Sequence, residues 1–413
     1  MPMNNELKPK IRFKGFTDDW EQRKLKDITS IITKGTTPLD KSGNGDINFI
    51  KIENINPSTG LIESTTKITE EEHNGYLRRS QLKENDLLFS IAGTLGRVSL
   101  INKEILPANT NQALAIIRLK ECDLNYIKTF LKGKAISDFI KKNPTIGAQP
   151  NLSLEQVSNF EISYPEDTEA HKIGTMLDSL DNLITLHQRK YDKLIELKKS
   201  LLEKMFPQNN SVIPEIRFKG FTDDWEQRKL EEIGDNFSTR TLGYADLIED
   251  GKYKCVLYGD LYTKFNERIF NVKSRTNREA TKTEVNDILF PTSTTVDSVS
   301  LIAPSCINQE NIMVGGDLFG IRPYKNIDGN FISYYINNFI PVKHSFAKQA
   351  QGLTIVHLQY NAVKKEDLMI PTLEEQKIIS QLFISIDNLI TLHQRKHDKL
   401  NKIKQSLLND MFV

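Results

Sequence analysis

Cysteine, tryptophan and any imbalance of charge are what this 413-residue chain has least of. Its three cysteines, Cys122, Cys255 and Cys306, are far apart and odd in number, which suits reduced thiols in a cytosolic protein better than a secreted disulfide framework. No CxxC or Cys/His zinc spacing occurs, so no metal site is expected. Lys plus Arg number 55 and Asp plus Glu 54, leaving a formal charge of +1, which argues against a histone-like or polybasic binder. No run approaches the roughly 18 apolar residues that span a bilayer, and the opening MPMNNELKPK lacks the apolar core of a signal peptide. The expected location is therefore the cytoplasm. Catalytic signatures are missing as well. GxxxxGK[ST], HExxH and GxSxG do not occur, and Gly133-Lys134-Ala135 and Gly251-Lys252-Tyr253 lack the hydroxyl residue of a phosphate-binding loop. Asn143-Pro144-Thr145-Ile146 lacks the second proline and the aromatic of an amino-methyltransferase turn, and the scattered acidic pairs form no nuclease signature. The chain alone is expected to be non-catalytic.

What is present is a duplication. With 38% hydrophobic and 26% charged residues the composition is that of an ordinary globular protein, and the length allows two or three domains. IRFKGFTDDWEQRKL occurs at Ile11 to Leu25 and again, without a change, at Ile216 to Leu230; DNLITLHQRK occurs at Asp181 to Lys190 and at Asp387 to Lys396. The offsets, 205 and 206 residues, agree. Two copies of one unit follow, joined by the polar, Pro-containing linker 207–215. Between these blocks only echoes survive, KENDLLF beside VNDILF and VSLI in both halves. Recent duplication alone would leave identity spread evenly. Identity held in blocks implies that the blocks meet the same thing twice, while the divergent middles meet different things.

Apolar residues recur at heptad spacing over 166–206 and 372–413, each stretch following a proline (Pro165, Pro371) and opening with acidic residues. Ile173, Leu180, His187, Leu194 and Leu201 form one register, with Met176, Leu183, Lys190 and Leu197 three residues on and Leu177, Ile184, Tyr191 and Met205 four on. The second copy shows Ile379, Ile386, His393, Leu400 and Leu407, flanked by Leu382, Leu389, Ile403, Phe383, Ile390 and Met411. This reads as an a/d/e stripe on two helices of about 40 residues, roughly 60 Å long at about 1.5 Å per residue, each seeking a helical partner. Packing on each other hides both stripes, and the domain lying between them in sequence favours an antiparallel pair. His187 and His393 fall near the midpoints at the same heptad position, where polar residues fix register. A metal reading of His393 and His397 is weakened by Tyr191 in the matching place. The domains are then 1–165 and 216–371, so the expected fold is α/β (α+β) with two globular domains, two long antiparallel coiled-coil helices and a pseudo-two-fold internal repeat.

The variable middles carry basic and amide-rich loops: Lys34 to Pro38, Arg78-Arg79, Lys141 to Asn143, and in the second copy Lys264, Arg268, Lys273, Arg275 and Arg278 with Tyr262 and Phe265 interleaved. Such loops suit phosphate and base-edge contacts, although any one cluster is also compatible with a solvated face. Ala92 to Arg97, following the strand-like LLFSI, reads as a hairpin turn.

Variable domain, long helix, variable domain, long helix: in this arrangement the chain closely resembles the specificity (S) subunits of type I restriction-modification systems, over essentially its whole length. The carrying motifs are the IRFKGFTDDWEQRKL-like opening before each domain, the passage Ile370, Pro371, Leu373, Glu375, Gln376, Ile379 into the second helix, and the passages Gly147 to Leu152 and Gly352 to Leu358. The first copy departs from the helix-start pattern, with Tyr164-Pro165-Glu166 and His171 in place of the glutamine. The resemblance implies that each target recognition domain reads one half of a split DNA sequence. It implies a helix pair that spaces the half-sites and carries two modification subunits, which supply S-adenosylmethionine and adenine N6 methylation. Restriction subunits using ATP and Mg would complete the complex, with no cofactor bound by this chain. The DNA-binding residues expected are Lys34, Thr36, Thr37, Arg97, Gln149 and Asn151 in the first domain, and Arg240, Tyr244, Arg275, Arg278, Gln351 and His357 in the second. The rival readings are a coiled-coil scaffold with two protein- or glycan-binding modules, a single-chain restriction-methylation enzyme, which the missing motifs oppose, and a silent allele that supplies domains by recombination.

Overall fold

The repeated tetrapeptide EQRK is a strand in both halves, and each time it lies antiparallel to the strand that leads into a long helix. In the computed structural model, which describes residues 8–40, 42–143, 150–208, 211–239 and 241–412, the chain divides into two units, 1–190 with 393–413 and 191–392.

The first unit contains β1 (Glu21–Lys24), β2 (Thr29–Lys34), β3 (Ile47–Ile50), β4 (Thr66–Ile68), β5 (Leu87–Ser90), β6 (Val98–Leu100), β7 (Ala108–Thr110), β8 (Leu114–Leu119) and β9 (Glu161–Tyr164). They form a four-stranded sheet in the order β2-β8-β5-β6, a three-stranded sheet β4-β3-β7 and the pair β1-β9. Strands β5 and β8 read as continuous apolar runs because both faces are covered. Leu87, Phe89, Ala115 and Ile117 face a core with Trp20, Tyr126, Phe160, Ile173 and Leu177. Their alternate neighbours Leu88, Leu114 and Ile116 face a second core with Ile50 and Ala108 of the smaller sheet.

The second unit repeats the plan with β10 (Glu226–Lys229), β11 (Gly234–Ser238), β12 (Tyr253–Leu257), β13 (Arg275–Thr276), β14 (Ile288–Pro291), β15 (Ser305–Ile307), β16 (Met313–Gly315), β17 (Leu318–Pro323) and β18 (Asp367–Ile370). The order β11-β17-β14-β15 matches β2-β8-β5-β6, and β13-β12-β16 matches β4-β3-β7, including the parallel pairing at β12-β16 and β3-β7. Four two-residue strands are added. The echo KENDLLF/VNDILF has a structural cause: Asn85 and Asn286 turn through positive φ (+69° and +81°), and the next residue is a buried aspartate held bidentately by an arginine of the neighbouring strand. The pairs are Asp86 with Arg118 (2.7 and 2.7 Å) and Asp287 with Arg322 (3.0 and 3.0 Å).

The long helices run Asp167–Lys204 and Leu373–Asp410. Within the first unit Asp181 pairs with Lys404 and His187 meets His393; within the second, Lys198 pairs with Asp387 at 2.8 Å and the Phe206 ring lies 6.2 Å from that of Phe383. In both units the two helices therefore run antiparallel. The ten seam residues are buried or half-buried. The wider a/d/e stripe does not hold: Leu183, Leu197, Leu389 and Ile403 are exposed, while Leu177, Ile184, Phe383 and Met411 are buried. A helix pair covers only part of such a stripe, and the globular domain covers the e side, where Phe383 meets Tyr334. Gly174 sits where the short helix Leu124–Leu131 presents its capping Asp123 and the backbone N of Tyr126 to the central helix, and a Cβ would collide with both.

The opening block is bound to its own unit's helix. Arg12 holds the fully buried Glu169 through Nε and Nη2 (2.7 and 2.8 Å), and Arg217 holds Glu375 at the same two distances. Ile11 N donates to Asp410 O (2.9 Å) and Ile216 N to Lys204 O (3.0 Å). The glutamine of the helix-start pattern is present in the second copy only, and the first-copy residue that matches it is Ala170 rather than the expected His171. Gln376 accepts from Asp328 N at 2.9 Å, whereas Tyr164 Oη accepts the equivalent Asp123 N–H at 2.9 Å.

Removing one partner of a buried ion pair leaves an uncompensated charge. Arg12→Ala should cost the first unit about 3–5 kcal/mol in denaturant unfolding, while Arg12→Met/Glu169→Leu should restore most of it. A second expectation concerns pH. His187 Nδ1 and His393 Nδ1 are 2.8 Å apart, so one must donate and one accept. Burial first, then the facing charges (His393, Lys396, Lys190 and His397 on His187; Lys190 and Lys396 on His393), hold both imidazoles below the usual histidine value. Because the folded pKa is depressed, the pair's contribution is complete above about pH 6.5 and is lost as pH falls below it. Unfolding followed from pH 7.5 to 5 should show this loss, and His187→Leu/His393→Leu should remove it while altering helix alignment.

Candidate nucleic-acid interface

The parallel strands β3 and β7 end side by side, Ile50 opposite Thr110, and β2 ends beside them with Lys34 opposite Ala115. The loops after β2, β3, β5 and β7 therefore share one edge of the first domain. Thr36 N donates to Thr110 O at 3.0 Å and Thr37 Oγ1 bonds Gln112 Oε1. Beside them a cleft of about 270 Å³ is lined by Thr37, Asp40, Lys51, Lys67 and Asn111. Lys34 is exposed at the strand end. The expected turn after β5 is a hairpin in which Gly93 and Gly96 take positive φ and Ser90 N bonds Arg97 O (2.9 Å). Arg97 then reaches across to the carbonyls of Ile52 and Ile55, 3.0 Å each, so its Nη1 clamps the loop after β3. Asn151 lies opposite Ala92, with Leu152 N bonded to Ile91 O (2.7 Å). Lys34, Thr36, Thr37, Arg97 and Asn151 are thus brought to one edge; Gln149 lies outside the described residues. Lys51, Lys67 and Asn111 join them, and the sequence offered no signal for these, since they come from three separated segments, the ends of β3 and β7 and the strand β4.

In the second domain the matching edge is built from other residues. Tyr244 is exposed and its hydroxyl sits against Gly259 in the short helix Tyr258–Thr263. From that helix Tyr262 Oη donates to Ser293 O (3.1 Å); Ser293 pairs with His357, and His357 and Gln351 exchange main-chain bonds of 2.9 and 2.7 Å. Leu358 N bonds Thr292 O (2.9 Å), so His357 occupies the place that Asn151 holds in the first domain. Arg278 Nη1 is 3.2 Å from both oxygens of Asp246, and the Gly243 N–H, then Arg278, keep that carboxyl below the usual carboxylate range. Arg275 is placed differently. It pairs with Lys254 near the start of β12 and its Nε donates to Gly251 O at 2.6 Å, away from Gly259, which follows the strand's end. The basic run does not form a single face: Lys264 pairs with the buried Asp260 at 2.7 Å, and Phe265 packs on the core of β12 and β14. Arg240 lies outside the described residues.

Burial pushes the Cys255 thiol up to about 11 and holds that of Cys306 well above the usual thiol value, so neither is a ready nucleophile. Among the described residues no three His, Cys, Asp or Glu side chains are grouped to hold a metal, and no helix is long and apolar enough to cross a membrane.

Residues 17–196 and 222–402 each match the model of the type I restriction modification DNA specificity domain. The chain belongs to that family. A putative type I restriction enzyme MjaX specificity subunit from Methanocaldococcus jannaschii is 24% identical over 95% of this chain and 92% of its own length, and the MjaVIII specificity subunit of the same organism is 23% identical over the same shares. The crystal structure of the S subunit from M. genitalium superposes with a TM-score of 0.64 at 15% identity, covering 98% of this chain and 99% of that one, which shows the shared fold. As a specificity subunit the chain is the DNA-recognition part of its system.

The two arginines of β13 and the loop after it should separate by role. Arg278→Ala, which breaks an exposed ion pair, should change thermal stability by less than about 1 kcal/mol while lowering the slope of log affinity for DNA against log salt by about 1. Arg275→Ala should act the other way, costing stability with little change in slope. Melting and salt-titrated binding of the full chain with its partner subunits measure both.

Proposed function

We propose that the two domains of this specificity subunit read different halves of one split DNA sequence, with the helix pair fixing the distance between the halves. The observation that carries the reading is the contrast between scaffold and loops. Nine strands recur in the same order in both units, yet the edge loops share almost no sequence: Thr36, Thr37 and Asn151 on one, Tyr244, Gln351 and His357 on the other. A frame repeated with different loops suits one docking geometry on DNA applied to two base sequences.

The duplicated helix blocks support a second part of the proposal. Leu183 and Leu186 recur as Leu389 and Leu392, all exposed, in the identical DNLITLHQRK. Exposed apolar pairs of identical sequence suit two copies of one partner, the modification subunit, which would bring S-adenosylmethionine; the restriction subunits would bring ATP and Mg. The near-neutral charge accords with partners that share the phosphate contacts.

Methylome sequencing of cells carrying this chain with its modification subunit tests the proposal. The expected result is one new bipartite motif with adenine methylation in both halves, and exchange of residues 216–371 for another domain should change the second half alone. A contiguous motif, or no new methylation together with binding indifferent to salt, would favour a protein- or glycan-binding scaffold.

A further inference from the structure

The second domain carries an apolar projection on its reading edge that the basic and amide loops do not account for. Leu353 is 101% exposed at the tip of the hairpin Gln351 to His357, with Ile355 (47%) beside it and Val296 (72%) on the adjoining loop after β14. The projection is braced. Gln351 and His357 exchange two main-chain bonds, Thr294 pairs with Val356, and Ser293 Oγ is tied to Asp317 at 2.9 Å. Gly352 turns at φ +125°, and a Cβ there would run into Ile355 O, so the tight return depends on glycine. Below the tip, Val356 and Leu358 are buried. Residues 291–296 and 350–360 contain no Asp, Glu, Lys or Arg, in a chain that is 26% charged.

An uncharged, rigid tip is poorly suited to phosphates and well suited to the apolar group that base edges offer, the thymine 5-methyl in the major groove. Its position supports that target. His357 closes the hairpin in the place Asn151 holds on the first domain's edge, and the amide of Gln351 lies at its base. From this geometry we infer that Leu353, shouldered by Ile355 and Val296, is a specificity-determining residue that contacts a thymine methyl in the second half-site. The inference rests on the DNA-reading function proposed above.

The test uses the full chain with its modification subunits and duplexes bearing the wild-type motif, each second-half thymine replaced in turn by deoxyuridine. One replacement should weaken wild-type binding about three- to tenfold, the scale of one buried methyl group. Leu353→Ala should show that same loss on the thymine duplex and no further loss on the uracil one, with the first half-site unaffected; Leu353→Met should keep most of the affinity. Melting should be unchanged, because the side chain touches nothing that holds the fold. The inference is overturned if Leu353→Ala binds every duplex as wild type does, or if the second half-site holds no thymine. It is equally overturned if the loss is the same on thymine and uracil duplexes and accompanies reduced DNA bending, the signature of a base-step wedge, or if only modification-subunit association suffers. A wild-type complex showing no sequence preference would instead remove the underlying reading.

Discussion

A buried carboxylate at the start of each long helix is the constraint on which both units depend. Glu169 and Glu375 are wholly removed from water and would be intolerable there without Arg12 and Arg217. That bidentate contact joins the opening block to the helix, and the EQRK strand a few residues on joins the same block to the strand before the helix. Domain and helix are thereby joined at two points in each unit. The identity of the two fifteen-residue blocks follows from this internal bracing, because part of what each block meets is its own helix. The copies are not perfect equivalents, since Trp20 Nε1 reaches Glu169 at 3.2 Å whereas Trp225 Nε1 is buried without a hydrogen-bond partner.

Between the repeated blocks, the two domains reach one topology through different residues. Buried Asp–Arg pairs stitch the central strands in both, and the N–H of the capping aspartate is taken by Tyr164 in one unit and Gln376 in the other. The geometry of the frame is retained while the groups that satisfy it change. The loops, whose backbone lies on the surface, are under no comparable constraint.

Features with a short repeat were legible in the sequence. The heptad register fell on buried or half-buried helix positions such as Ile173, Leu180, Ile379 and Ile386, and the glycine pair in Ala92 to Arg97 marked a hairpin. Sidedness was not, because an apolar residue at helical spacing carries no information on which neighbour covers it; Leu183 and Leu389 were read into the stripe and lie outside it. The grouping of loops at one edge of each domain was partly legible. Thr36, Thr37, Tyr244 and His357 arrive there, but Lys51, Lys67 and Asn111 do so only through pairing between distant strands. Arg97 and Arg275 illustrate the remaining difficulty: an arginine suited to phosphate is equally suited to a backbone carbonyl, and composition does not distinguish them.

The way each helix is divided between the units has a consequence for cleavage. Leu202, Met205 and Phe206, from the first half of the sequence, are buried in the core of the second unit, while Met411, from the second half, is buried in the core of the first. A protease cutting the linker between Pro207 and Glu215 would produce two fragments, each of which completes the other's hydrophobic core. The nicked protein should stay associated and folded, held by exchanged helix ends with no need of the covalent link.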